Sequence, residues 1–419
     1  MKCILIMWRL GFFFHEMAFG LLSVFIPLYI VGFQDANTIG GPLVALGVMM
    51  SIAMFCTIPA SLLWGWFCDA TRRYKPFILL SFASSAILLF LMTLPFAQNI
   101  ILFIVLYVIM QFLHMAHEAP KNVLIAEHYS RDEWETSYSY YKGLTEIGLI
   151  IGLALGFCLS AGLFSFTSSL NPATLATYTL YLCSGLSIAA FILSLLLVAD
   201  PLIIFERRLV RIERNVDFTC NSVRSASRIL SGARWNGYPK QDNFKIFAIA
   251  IVLFSLATSI FFTPFPVFLS QSLNLPNSMV YASYIFTSIG ATVGYFFISG
   301  RARSMDIRKQ MPRYILYRSL LIFALIGIIQ LAISPTLITF LILVFLGFSF
   351  AIYYILMISI SMELIPAGKS GLFDGLVGIG TALGAFFGPY IANTYNYLPT
   401  FLIAALLFLI AFISIKLAT

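Results

Sequence analysis

Apolar stretches long enough to cross a bilayer alternate with polar interruptions along nearly the whole chain. A helical crossing needs roughly 20 apolar residues at a rise of 1.5 Å each. About twelve runs approach that length: Leu10–Val31, Pro42–Trp64, Phe77–Ala97, Ile100–Ala126, Tyr138–Phe164, Leu175–Val198, Ile246–Ser270, Ser278–Gly300, Tyr314–Ile333, Leu337–Met362, Gly371–Ala392 and Phe401–Ile415. Gly, Pro, Asn or charged clusters close each run. The pattern predicts an all-α membrane protein of about 12 transmembrane helices. One long polar interruption divides it into residues 1–199, a connecting segment 200–244 and residues 245–419.

Composition agrees with that division. The 419 residues are 60% hydrophobic and only 10% charged, too few polar side chains to cover a soluble globule of this size. Lys and Arg concentrate in Arg72–Lys75, at Arg131, in Arg207–Lys245, in Arg301–Arg313 and at Lys369. Every second loop, such as FQDANTIGG and NTYNYLP, holds none. Cytoplasmic loops carry the basic excess, so the sequence predicts a multi-pass protein of the cell membrane with both termini cytoplasmic. The net charge of +8 is then topological bias, with attraction to anionic membrane lipid, and not a nucleic-acid surface.

The opening MKCILIMWRLGFFF reads as part of the first span, since no small-residue cleavage site follows it. The six Cys are scattered without a CxxC pair, so neither a disulfide framework nor a zinc module is expected. In the connecting segment, IIFERRLVRIER sets Phe205, Leu209 and Ile212 on one helical face against Arg on the other, the pattern of a surface helix.

Three unlike features recur between the halves. Pro27 and Pro264, late in spans one and seven, are 237 residues apart, as are Asp69 and Asp306 in the loops after spans two and eight. Spans five and eleven carry glycine ladders, Gly148, Gly152, Gly156 and Gly380, Gly384, Gly388, offset by 232. Gly at this spacing lets membrane helices pack closely. The common order of all three features predicts two pseudo-symmetric six-helix bundles.

The loop GWFCDATRRYK from Gly65, with its weaker echo RARSMDIRK, resembles the signature loop of the major facilitator superfamily: a Gly, an Asp four residues later, then a basic cluster. Arg72 stands where the family pattern has its second Gly, and Arg73 at the usual basic position. Span five lacks the Gly-Pro pair of drug and proton antiporters. The resemblance implies two bundles that rock about a central site, a cavity lined by spans one, four, seven and ten, and monomeric function. It also implies that Asp69 latches the bundles near SGLFDG at the start of span eleven, where helix-terminal amides favour an anion. Arg72, Arg73, Asp306 and Asp374 are grouped with it as gating residues.

The candidate chemistry sits where hydrocarbon should be. In span four, Tyr107, Gln111, His114, Glu118 and Lys121 step by four, three, four and three, forming one continuous helical face with His117 beside Glu118. Span one adds His15 and Glu16, and span five adds Lys142 and Glu146 as an i,i+4 pair. The counterpart cavity spans seven and ten offer hydroxyls instead, among them Tyr353 and Tyr354, which places the charge on one bundle only. Such groups must face protein or water, because charge against lipid costs several kcal/mol.

Three readings of the cluster stay open. Glu118 pairs with Lys121 or Lys142 and Glu146 closes a structural network; or Glu16 or Glu118, with nearby imidazoles, exchanges protons in step with a solute; or the histidines mark a transition-metal path. Against the last, lysines add positive charge and no Cys or Met completes a shell, so no metal is assigned. There is no GxxxxGK[ST] loop and no recognisable hydrolytic site, so neither an enzyme nor a cofactor is expected. The expected function is secondary active transport of a small polar or anionic solute, with protons as the coupled partner in symport. The alternatives are a proton-coupled exporter of lipophilic or cationic compounds, a transition-metal transporter, and a non-transporting receptor or intramembrane enzyme.

Overall fold

The computed structural model describes residues 7–71, 73–128, 134–163, 171–198, 241–301, 307–330, 336–364 and 371–418. Arg72, Asp306 and segment 200–240, with its expected surface helix, lie outside the described residues, as does the side chain of Asp69.

All regular structure among the described residues is helical: α1 (Arg9–Val31), α2 (Pro42–Thr71), α3 (Lys75–Leu91), α4 (Ile100–His114), α5 (Glu118–His128), α6 (Trp134–Ser160), α7 (Pro172–Leu197), α8 (Gln241–Phe262), the short α9 (Phe265–Val267), α10 (Asn277–Ser299), α11 (Ile307–Gln330), α12 (Thr336–Leu364), α13 (Gly371–Tyr395) and α14 (Tyr397–Ala418). Among the described residues, eleven helices are long and apolar enough to cross a membrane, and the shorter apolar α3, 17 residues long, stands in the place of the third expected span.

The halves repeat one packing scheme. In the first, α1 packs on α6 and α7, α2 on α4, and α3 on α7; in the second, α8 packs on α13 and α14, α10 on α12, and α11 on α14. Two further contacts, α6 with α10 and α2 with α13, join the halves. Each partner in one of these joints is the counterpart of a partner in the other, as pseudo-twofold symmetry requires.

The glycine ladders form the seam inside each half. A Cβ at Gly148 or Gly152 would meet the carbonyl of Phe13 or Met17 on α1, and one at Gly156 would meet Leu21 and Tyr281. A Cβ at Gly380, Gly384 or Gly388 would meet the carbonyl of Val252, Leu256 or Ile260 on α8. Without side chains at these positions the two backbones lie in contact, and dispersion over the whole length replaces the hydrophobic driving force that lipid cannot supply.

Proline breaks two spans in ways that periodicity alone does not reveal. Span four is not one continuous helix: a tight 3-10 turn, Met115–His117, separates α4 from α5. Pro120 cannot donate to the Ala116 carbonyl four residues back, and its ring crowds that carbonyl, so the turn tightens there. Span seven ends its regular helix at Phe262, and α9 and a π-type turn over Phe268–Ser272 follow. Pro264 and Pro266, one residue apart, both lack amide donors there, whereas the single Pro27 is carried inside an unbroken α1.

Candidate functional site

The residues of the expected polar stripe fall on either side of the turn in span four. Tyr107 and Gln111 are buried and hydrogen-bonded to each other, with the Tyr107 hydroxyl 3.7 Å from Met50 Sδ on α2. Below them, three imidazoles meet inside the first half. His15 Nε2 lies 3.0 Å from His114 Nδ1, and the His15 ring centroid is 5.2 Å from that of His117. His15 and His117 are almost fully enclosed, and Phe82 of α3 lies against both. Ser81, also on α3, donates to the His114 carbonyl at 3.0 Å and meets His117 Nδ1 at 3.0 Å.

Glu118 opens α5 and holds two partners. Its Oε1 is 3.4 Å from His117 Nε2, and its Oε2 pairs with Lys121, whose side chain is buried. Glu118 is one-third exposed, at 32%, which places the ion pair at the rim of the imidazole pocket rather than within it. Asp374, exposed at the start of α13, is within electrostatic reach of Glu118 and Lys121.

The charges of span five face the other half of the molecule. The Lys142 ammonium stands 5.7 Å from the centre of the Tyr354 ring on α12, and the Tyr354 hydroxyl is hydrogen-bonded to Tyr138 on α6. Glu146, one turn further along α6, is hydrogen-bonded to Ser288 on α10. The expected Lys142–Glu146 ion pair is not formed: no nitrogen–oxygen distance within 4.0 Å joins the two side chains, whereas Glu118 makes such contacts with His117 and Lys121. The half-buried Glu16 on α1 likewise has no cation at that distance, although Lys121 and Lys142 lie within its field.

The site residues are therefore divided between two places. His15, His114 and His117 lie together among α1, α3 and span four, with Glu118 and Lys121 at the rim. Lys142, Glu146 and Tyr354 lie on the seam between the halves.

Tyr353 is not with them. It is buried inside the second half, stacked on Phe254 at a centroid distance of 3.5 Å, with its hydroxyl on Met357 Sδ. Adjacent helical residues point about 100° apart, so only one of Tyr353 and Tyr354 can face the seam. Exposed Arg73 makes no ion pair among the described residues.

The expectation that charge is confined to one bundle is overturned by Arg318. This residue of α11 is 1% exposed; its Nη1 donates to the Leu346 carbonyl at 2.9 Å, and its guanidinium lies within 5.7 Å of the ring centres of Phe254, Phe262, Phe350 and Phe408. The signal was a lone arginine four residues into the ninth apolar run. Arg318 follows Ser81 by 237 residues, the offset of the two prolines, and each side chain donates to a carbonyl of the neighbouring helix, in span four or span ten.

The whole chain superposes on solved transporters. The xylose transporter XylE from E. coli, in a partially occluded inward-open conformation, matches with a TM-score of 0.68 at 13% identity, covering 98% of this chain and 97% of that one. The fucose:proton symporter FucP from E. coli matches with a TM-score of 0.61 at 16% identity, covering 100% and 99%. At these identities the likeness is one of fold. No curated protein matches in sequence. The profile of the Major Facilitator Superfamily matches residues 10–376, and the chain belongs to that family of membrane transporters.

Proposed function

We propose that this secondary transporter carries a small polar or anionic solute between its two halves and couples the movement to protons in symport across the cell membrane, with both termini in the cytoplasm. The observation that carries the reading is Lys142: an ammonium on the seam, without a carboxylate within 4.0 Å among the described residues, resting over an aromatic ring of the opposite half. A cation at that depth without a counter-ion is a binding group for an anionic or electron-rich solute. The hydroxyls of Tyr138 and Tyr354 beside it orient polar groups. XylE and FucP are named for sugars, which agrees with a polar cargo but does not name this one.

Glu146 is assigned the proton. Glu118 is already engaged by Lys121 and His117, whereas Glu146 has no cation partner and bonds across the seam to Ser288. A proton neutralises that carboxyl without a counter-ion and changes its bond to the other half, which ties protonation to the movement of the halves. Asp69, at the cytoplasmic end of α2, is assigned the latch to the start of α13, with Arg72, Arg73, Asp306 and Asp374 as its surroundings. The protein works as a monomer in this reading.

The test is reconstitution of the full chain into vesicles with an internal pH-sensitive dye and a panel of sugars, carboxylates and amino acids. A solute that enters with protons supports the reading. Glu146→Gln is expected to abolish gradient-driven accumulation while preserving solute exchange. Solute movement without any proton flux in the unsubstituted protein would overturn symport, and cargo restricted to lipophilic cations would overturn the assignment of Lys142.

A further inference from the structure

The imidazole pocket inside the first half is not used by the proposed transport cycle, and its hydrogen bonding is incomplete. Ser81 has one hydroxyl proton, and the carbonyl of His114, which can only accept, takes it at 3.0 Å. The 3.0 Å contact from the same hydroxyl oxygen to His117 Nδ1 must then be donated by the ring. That fixes the His117 tautomer: Nδ1 carries hydrogen, so in the neutral ring Nε2 presents a lone pair. Nε2 faces the Glu118 Oε1 at 3.4 Å, so a positive charge belongs there, either a second ring proton, as in the ion pair described above, or a metal ion.

His15 has an open nitrogen of its own. His15 bonds His114 through Nε2, while its own Nδ1 is buried without a partner. Histidine rings this enclosed ordinarily have both nitrogens satisfied.

We propose that His15, His114 and His117 form a binding site for a borderline divalent transition-metal ion of the zinc, cobalt or nickel class, with the Glu118 carboxylate beside His117 as a neighbouring negative charge. The three rings each offer one nitrogen, and these atoms all lie within 4.8 Å of one another. Tetrahedral zinc with bonds of about 2.0–2.1 Å requires nitrogens about 3.4 Å apart, so binding draws together any pair that stands further apart, up to the 4.8 Å limit of the cluster. Imidazole is the ligand type that such ions prefer over Mg2+ or Ca2+. Ser81 supplies the outer contact that fixes the His117 ring, as the second hydrogen bonds of metal-bound histidines ordinarily do.

The charge objection raised by the lysines is met by geometry. Glu118 stands between, turning Oε1 to His117 and Oε2 to Lys121, so the carboxylate screens the ion from the nearest ammonium. Lys142 projects to the seam over Tyr354. The ion would tie α1 to span four at the 3-10 turn. The site goes beyond the solute assignment and does not depend on it, since none of its three rings is a solute ligand in that reading.

The experiment uses the full chain in detergent, stripped with chelator and confirmed monodisperse. Titration with Co(II) is expected to give one equivalent of a tetrahedral visible spectrum, bleached by Zn(II). His114→Ala is expected to lose the spectrum and at least about a hundredfold in affinity, and Ser81→Ala to lose about tenfold. X-ray absorption of the bound zinc in the unsubstituted protein keeps the test independent of variant folding: three imidazole shells at about 2.0 Å are expected. Absence of tight Co(II) binding, a zinc shell of oxygens alone, or an unchanged spectrum in monodisperse His114→Ala protein would each overturn the site. None of these outcomes bears on solute transport, so the two proposals fail separately.

Discussion

The ammonium of Lys142 on α6 lies 5.7 Å from the centre of the Tyr354 ring on α12, so a charge from the first half rests on an aromatic face of the second. Any solute that takes hold of Lys142 competes with this contact and acts on the relation between the halves. Lys142→Ala is expected to raise the solute KM about tenfold or more, the effect of one lost charge-assisted hydrogen bond. Lys142→Arg should keep part of the affinity, because the charge is retained while the geometry changes. Uptake kinetics in vesicles measure both, and an unchanged KM in the Ala variant would remove Lys142 from the binding site.

Glu118 and Lys121 make a separate prediction about stability. Glu118→Gln leaves the Lys121 ammonium buried without its partner. The cost is about 2 kcal/mol, below the value for a fully enclosed pair because Glu118 is one-third exposed. Glu118→Gln combined with Lys121→Met should recover most of that loss. Thermal unfolding in detergent distinguishes the two, and equal melting of single and double variants would contradict the pairing.

The glycine seams predict a pattern. Gly152→Ala and Gly384→Ala each drive a methyl into a backbone carbonyl of the facing helix, at Met17 and Leu256. Each is expected to cost about 1–3 kcal/mol. Gly327→Ala meets no atom within 4 Å and should be neutral or stabilising. Melting curves of the three variants test the seam, and a mild Gly384 variant beside a severe Gly152 variant would argue against equivalent roles in the two halves.

Arg318 invites a comparison of Lys with Met. Arg318→Lys keeps the buried charge but loses the planar contact with four rings and the reach to the Leu346 carbonyl. Arg318→Met removes the charge together with its desolvation cost while filling similar space. The Lys variant is therefore expected to melt lower than the Met variant. The reverse order would show that the charge itself, rather than its packing, holds α11 against α12.

Much of this architecture was legible in the chain. Twelve apolar runs and glycine ladders with a common order gave the spans and the repeat, because bilayer thickness and close helix packing each leave a periodic mark. The chemistry-bearing residues were legible as types. Their grouping was not. A stripe counted along an ideal helix treated Tyr107, Gln111, His114, Glu118 and Lys121 as one face, but it did not show that Tyr107 and Gln111 bond each other while His114 meets His15 and Glu118 meets His117. Lys142 and Glu146, four residues apart, looked like an ion pair, yet each found a closer partner on another helix, Tyr354 and Ser288.

Local sequence thus determined what could be decided within one helix or one loop: which runs are long and apolar enough to span, where glycine lets two helices touch, and where proline withholds a hydrogen bond. Tertiary structure alone decided which polar groups meet. It brought His15 to His114 across 99 positions of chain and Ser81 to His117 across 36. The physical reason is that a buried polar side chain is satisfied by whichever donor or acceptor the packing of neighbouring helices delivers to it, and that geometry is written in no single segment.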